Sequence, residues 1–195
     1  MQIYNFEQGS EEWFKVRLGK LTASNAQAIA SNGAGLDTLI FEKVAELMTG
    51  KMKESYTNID IERGNELEKM ARNSYELETG IIVKQVGFIE LNEFVGCSPD
   101  GLIAEDGLQE IKCKNDSNFA RFLYDRKIDT EHVWQMQMQL FVTGRQYVDY
   151  VLYNPNFPKP IIITKVMRDE VSISKLNVGI MTGVAKIKSI LEKIK

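Results

Sequence analysis

The chain has 195 residues, 44% of them hydrophobic and 26% charged, with a formal net charge of −3. That length allows one compact domain, residues 1–195, with a proper core, and the composition is that of an ordinary globular chain. The acidic balance argues against a protein that coats nucleic acid through bulk positive charge, while an enzyme with a local basic groove stays possible. The longest apolar runs, such as Ile161-Ile162-Ile163, fall far short of the roughly 20 residues that cross a bilayer. Met1 to Glu7 carries neither a basic nor an apolar leader pattern. A cytoplasmic protein without membrane association is expected, with Cys97 and Cys113 as free thiols. Lacking a CxxC spacing or a histidine cluster, these two cysteines cannot form a zinc site and read as small buried strand residues.

In chain order, Ser10-Glu11-Glu12-Trp13 reads as a helix start, with a capping hydroxyl ahead of acidic first-turn residues. Thr22-Ala23-Ser24-Asn25 reads as a second start, and Ser31 to Gly35 as a break. Leu36 to Met48 and Ile61 to Leu77 show the three- and four-residue spacing of amphipathic helices, with Gly50 and Gly80 as stops. The period then changes. Ile81 to Leu91, Val95 to Ser98 and Leu108 to Cys113 are short β-rich runs separated by Gly, Asn and Asp. Helices are expected from about Asn118 to Tyr124 and Glu131 to Val142. Tyr147 to Tyr153 and Ile161 to Val166 read as strands, joined by the proline-rich loop Asn154 to Pro160, and Asp169 to Lys195 as a closing helix. The expected fold is α/β (α+β), a central mixed sheet flanked by helices.

The chemistry concentrates in Cys97-Ser98-Pro99-Asp100-Gly101, followed by Leu108-Gln109-Glu110-Ile111-Lys112-Cys113. Strand alternation puts Leu108, Glu110 and Lys112 on one face and Ile111 on the other. A carboxylate and an ammonium emerging from an apolar strand are costly unless paired or bound to something. A hairpin would bring Asp100, at a turn, beside Glu110. Two carboxylates and the Ile111 carbonyl could then hold a hard divalent ion, with Lys112 placed to orient or deprotonate a water or to neutralise a phosphate. The alternative is a turn aspartate and a Glu–Lys pair on an exposed edge strand.

Four separated motifs now carry a resemblance. Pro99-Asp100 with Glu110-Ile111-Lys112 matches the PD-(D/E)xK nuclease pattern. Trp13-Phe14-Lys15-Val16-Arg17-Leu18-Gly19-Lys20-Leu21-Thr22-Ala23-Ser24 is close to a W…R.G.ITAS start. Gly64-Asn65-Glu66-Leu67-Glu68 resembles a G…E motif ahead of the sheet, and Trp134-Gln135-Met136-Gln137 a QvQ helix. In this order, over Trp13 to about Tyr153, they resemble the lambda-exonuclease or YqaJ-type viral recombinase group, which implies a restriction-endonuclease-like core. The resemblance implies that Asp100, Glu110 and the Ile111 carbonyl ligate Mg2+, with Mn2+ substituting. It implies that Lys112 positions or activates water, that Glu68 completes the metal shell or holds its waters, and that Gln135 orients the nucleophile or Lys112. Arg17, Ser24 and Ser98 match positions that grip a terminal 5′-phosphate; an arginine fork with hydroxyls is a competent phosphate site.

The implied activity is a 5′-to-3′ exonuclease on linear double-stranded DNA, acting as a ring-shaped homotrimer and feeding a single-strand-annealing protein. An endonuclease of the same fold and a catalytically inactive DNA-binding module stay open. From the residues alone, Glu62 and Glu66 compete with Glu68, and Trp13 reads as a core anchor. His132 reads as structural or exposed. Gln139 shares the helix face of Gln135, one or more of these glutamines being solvated. Lys186, Lys188, Lys193 and Lys195 form a stripe facing DNA or solvent.

Overall fold

The computed structural model describes residues 1–52 and 58–194, the side chains of 58–65 excepted. Its centre is a mixed five-stranded sheet in the order β3 (Val83–Lys84), β6 (Gly101–Ile103), β7 (Gly107–Cys113), β8 (Tyr147–Tyr153), β9 (Ile161–Met167). The β7–β8 pair is parallel and its neighbours antiparallel. Both faces of β8 are covered, which is why Tyr147 to Tyr153 is nearly unbroken in apolar residues. Val148, Tyr150 and Leu152 join the larger core, while Val151 and Tyr153 join a smaller one with Ala71, Tyr75 and Ile111.

A second, four-stranded sheet runs β1 (Gln2–Tyr4), β4 (Phe88–Asn92), β5 (Val95–Cys97), β2 (Leu21–Thr22). The expected central mixed sheet is therefore accompanied by a smaller partner. The run Ile81 to Leu91, read as one strand, supplies β3 to one sheet and β4 to the other. Gly87 sits at the break, where a Cβ would lie 2.1 Å from the Phe6 carbonyl oxygen. The short strands β1, β2 and β6 were not expected; Thr22, read as a helix cap, ends β2 and makes no side-chain cap bond.

The helices follow the sequence closely. Ser10 caps α1 (Glu11–Arg17) by accepting from the Trp13 N–H at 3.2 Å. A 3-10 turn at Ala23–Asn25 leads into α2 (Ala26–Ser31), left-handed Asn32 closes it, and α3 (Ala34–Thr49) ends at left-handed Gly50. The next helices are α4 (Asn58–Thr79), α5 (Asp116–Asp125) and α6 (Thr130–Thr143). The last is α7 (Glu170–Ile194). Helix α4 lies against β7, β8 and β9 on the smaller core, while α6 packs with α2 and α7 on the larger one. Among the described residues no helix is long and apolar enough to cross a membrane.

Gly179 marks the closest approach of α7 to α2, where an added Cβ would lie 1.9 Å from the Ile29 carbonyl oxygen. Helix propensity alone predicts that Gly179→Ala stabilises α7 by up to about 1 kcal/mol. Overpacking against backbone costs about 1–3 kcal/mol and wins. The substitution should lower the thermal midpoint by several degrees; a rise would show that the two helices are not in this contact.

Candidate active site

Strand alternation places Leu108, Glu110 and Lys112 on the larger-core face of β7 and Ile111 on the other. Glu110 is only 1% exposed. A carboxylate so deep must be fully hydrogen-bonded, and α6 supplies the donors. Gln135 and Gln139, four residues apart and so on one helix face, donate to Glu110 Oε1 and Oε2 respectively, each at 2.6 Å. Lys112 Nζ lies 2.7 Å from Oε1 and donates to Gln135 Oε1 at 3.2 Å. The Gln135 amide thus bridges acid and amine. Burial pulls the Lys112 ammonium down, but Glu110 and Asp100 together outweigh it and leave its pKa raised.

The β6–β7 hairpin brings Asp100 alongside. Its N–H donates to the Gln109 carbonyl at 3.1 Å, and its Oδ2 accepts from the Ile111 N–H at 2.6 Å. Glu68 approaches from α4, its side chain 35% exposed and ion-paired with buried Arg72 at 2.5 Å. Burial, then Glu110 and Glu68, push the Asp100 carboxyl well above the usual range. Burial also raises Glu68, with Arg72 opposing. Among the described residues no three acidic, histidine or cysteine side chains close into a metal cluster by themselves. The donor set on offer is two carboxylates and a main-chain carbonyl. Hard oxygen donors whose negative charges disfavour one another fit a divalent cation, which relieves that repulsion.

A second cluster lies two residues before Asp100. Ser98 Oγ accepts from Trp13 Nε1 at 2.9 Å and from Arg17 Nη1 at 3.2 Å. With both lone pairs taken, its hydroxyl proton is free to donate outward. The Arg17 guanidinium stacks 4.0 Å over the Trp13 ring. Burial lowers the Arg17 pKa to about 10, still protonated at neutral pH. Exposed Ser24 reaches the same sheet end through register. Thr22 pairs with Gly96, and Ser24 and Ser98 each follow two residues later. The Ser24 hydroxyl lies 3.1 Å from that of Thr22. The turn after Arg17 needs Gly19, at φ +71°, whose N–H donates to buried Glu46 at 2.9 Å.

The remaining sequence candidates divide cleanly. Gln139 is wholly buried rather than solvated, and Gln137 points away to the Met167 carbonyl and the Asp169 N–H. His132 lies 2.8 Å from the Tyr150 hydroxyl; burial, then Lys112 and Lys114, lower it to about 4, so it is neutral at pH 7. Cys97 is buried and Cys113 half-buried. Lys186 pairs with Asp37 at 2.6 Å and Lys188 lies 5.2 Å over the Phe94 ring, so the C-terminal stripe is partly engaged. The side chains of Glu62 and Asn65, and all of Lys195, lie outside the described residues. Sequence reading missed Arg72; its one signal is its place a helical turn after Glu68.

The YqaJ-like viral recombinase domain matches residues 12–146, which holds both clusters. The chain belongs to that family. Among solved structures, the alkaline exonuclease LHK-Exo from Laribacter hongkongensis is 34% identical over 95% of this chain and 96% of its own, with a TM-score of 0.86. The same enzyme in complex with dAMP gives 35% identity at the same coverage and a TM-score of 0.87. A phage related exonuclease from Haemophilus somnus 129PT shares the fold at a TM-score of 0.68, with 15% identity over 90% of this chain and 96% of that one. No curated protein sequence matches.

The raised Asp100 carboxyl has a stability consequence in metal-free protein. Between its ordinary range and its raised folded value, unfolding releases a proton, so folded stability falls as pH rises through that interval. Asp100→Asn keeps an acceptor for the Ile111 N–H and removes the repelled charge. The metal-free variant should melt higher than wild type at neutral pH, by roughly 2–4 °C per kcal/mol recovered. A lower midpoint would mean that the acids are not in conflict.

Proposed function

We propose that this protein is a magnesium-dependent 5′-to-3′ exonuclease that digests one strand of linear duplex DNA. The product is a 3′ single-stranded overhang for annealing-type recombination. The observation that supports it best is the pairing of two clusters, an Asp100–Glu110–Lys112 centre and a Trp13–Arg17–Ser98 anion grip, joined through Ser98-Pro99-Asp100. A grip that holds a terminal phosphate this close to the acids suits removal of short products from a phosphorylated end. Membership of a family with an alkaline exonuclease among its solved relatives supports the nuclease chemistry.

In this reading Arg17 and the outward hydroxyls of Ser98 and Ser24 bind the 5′-phosphate. Asp100, Glu110 and the Ile111 carbonyl would hold Mg2+, or Mn2+ in its place, and Glu68 would hold its outer waters. The bound ion supplies charge neutralisation at the scissile phosphate and a more acidic water. Lys112, stabilised as an ammonium by its two carboxylate neighbours, orients the nucleophile and offsets phosphate charge rather than acting as a base. Gln135 fixes the distance between Lys112 and Glu110. A ring-shaped homotrimer and a single-strand-annealing partner complete the proposal, both on resemblance.

The test is digestion of end-labelled linear duplex with Mg2+. Label should leave the 5′ end first, 5′-phosphorylated ends should be preferred to 5′-hydroxyl ends, and covalently closed circles should survive. Asp100→Ala should abolish release while still binding DNA. Efficient cutting of closed circles would favour an endonuclease, and no release with Mg2+ or Mn2+ a binding module. Arg17→Ala removes a charge-assisted contact of about 1.5–3 kcal/mol, so the preference for phosphorylated ends should fall roughly 10- to 100-fold. A preference left intact would remove Arg17 from the grip.

A further inference from the structure

The hydrogen bonds around Glu110 distinguish its two oxygens. Oε1 takes two donors, the Gln135 amide at 2.6 Å and the Lys112 ammonium at 2.7 Å, which fill its two lone-pair directions. Oε2 takes one, the Gln139 amide at 2.6 Å. Gln139 is wholly buried on α6, and its own Oε1 is buried without a partner among the described residues. An unmet buried acceptor costs about 1–3 kcal/mol, and Gln139 pays it among the core residues Met136, Met138, Leu140 and Val142 of the same helix. A side chain kept there at such a cost has a polar task, and among the described residues its one hydrogen bond is to Glu110.

We infer that Gln139 is a positioning residue for the cation site: it fixes the Glu110 carboxylate so that the free lone pair of Oε2 faces the divalent ion. This rests on the metal-dependent reading above. The amide suits the task because it is neutral. A lysine or arginine in its place would orient the carboxylate equally well but would cancel the charge that attracts the ion. An apolar side chain would leave Oε2 unanchored and the carboxylate held only through Oε1, with its plane less firmly set. Partners of this kind, bonded to a ligand and not to the metal, typically change metal affinity about 10- to 100-fold when removed.

The test measures Mn2+ binding to DNA-free protein by calorimetry, alongside thermal unfolding. Gln139→Met keeps length and volume and loses the donor; Gln139→Asn keeps a polar amide but withdraws it by one methylene. Both should weaken Mn2+ binding about 10- to 100-fold. Their exonuclease rate should recover as Mn2+ is raised, with the KM for DNA unchanged. In a Glu110→Gln background, Gln139→Met should cause no further loss. Gln137→Met, which breaks only the contacts to Met167 and Asp169, should lower the melting midpoint and leave Mn2+ affinity alone. If folded Gln139→Met and Gln139→Asn bind Mn2+ within about twofold of wild type, the positioning role is wrong although the site stands. If wild type binds no Mn2+, the metal-dependent reading falls and takes this inference with it.

Discussion

A carboxylate at 1% exposure in the middle of a core strand constrains everything around it. A carboxyl group as deep as that of Glu110 is costly without hydrogen-bond donors on both oxygens, and the fold provides them from one helix face. The i, i+4 spacing of Gln135 and Gln139 fixes how α6 rotates over β7, and the Lys112 ammonium completes the set from two residues along the same strand. The larger core then packs around this polar insertion, with Leu108 before it and Tyr150 opposite it in register.

The second acid arrives by a different device. Asp100 is tied by its N–H to Gln109 and by its carboxylate to Ile111, so the hairpin register itself sets its place beside β7. The same short segment carries Ser98, which links the Asp100–Glu110–Lys112 cluster to Arg17 and Trp13 across the sheet end. Behind Arg17, the buried pair Lys43–Glu46 at 2.8 Å holds the Gly19 turn through its N–H. Gly19 has no substitute there: its φ is left-handed and a Cβ would overlap Leu47. A buried ion pair, a turn and an indole ring each hold one part of the Arg17–Ser98 cluster in place.

The elements most legible in the sequence are those whose own periodicity sets them. Tyr147 to Tyr153 reads as a strand because both its faces are apolar, and α6 and α7 read as helices because their apolar stripes are long. Strands β1, β2 and β6 are too short to carry a clear period of their own, and β1 and β2 are held by partners distant in sequence, such as Glu90 for Gln2 and Val95 for Leu21. The division of Ile81 to Leu91 between two sheets was equally hidden, since it depends on Phe6 closing over Gly87. At the site, alternation in Glu110-Ile111-Lys112 placed the charges on one face correctly. Whether Gln139 was solvated could not be read from its spacing, because that depends on which carboxylate lies beneath it. Arg72 was missed for the same reason: a helical arginine looks like any surface charge until Glu68 and the Asp100 carbonyl lie against it.

Everything in the proposed chemistry depends on Asp100 and Glu110 sharing one divalent cation. Anomalous diffraction from crystals soaked in Mn2+ tests this directly. A single strong peak within bonding distance of Asp100, of Glu110 Oε2 and of the Ile111 carbonyl oxygen is the predicted result. No peak there, with the two carboxylates turned away from each other, would contradict it.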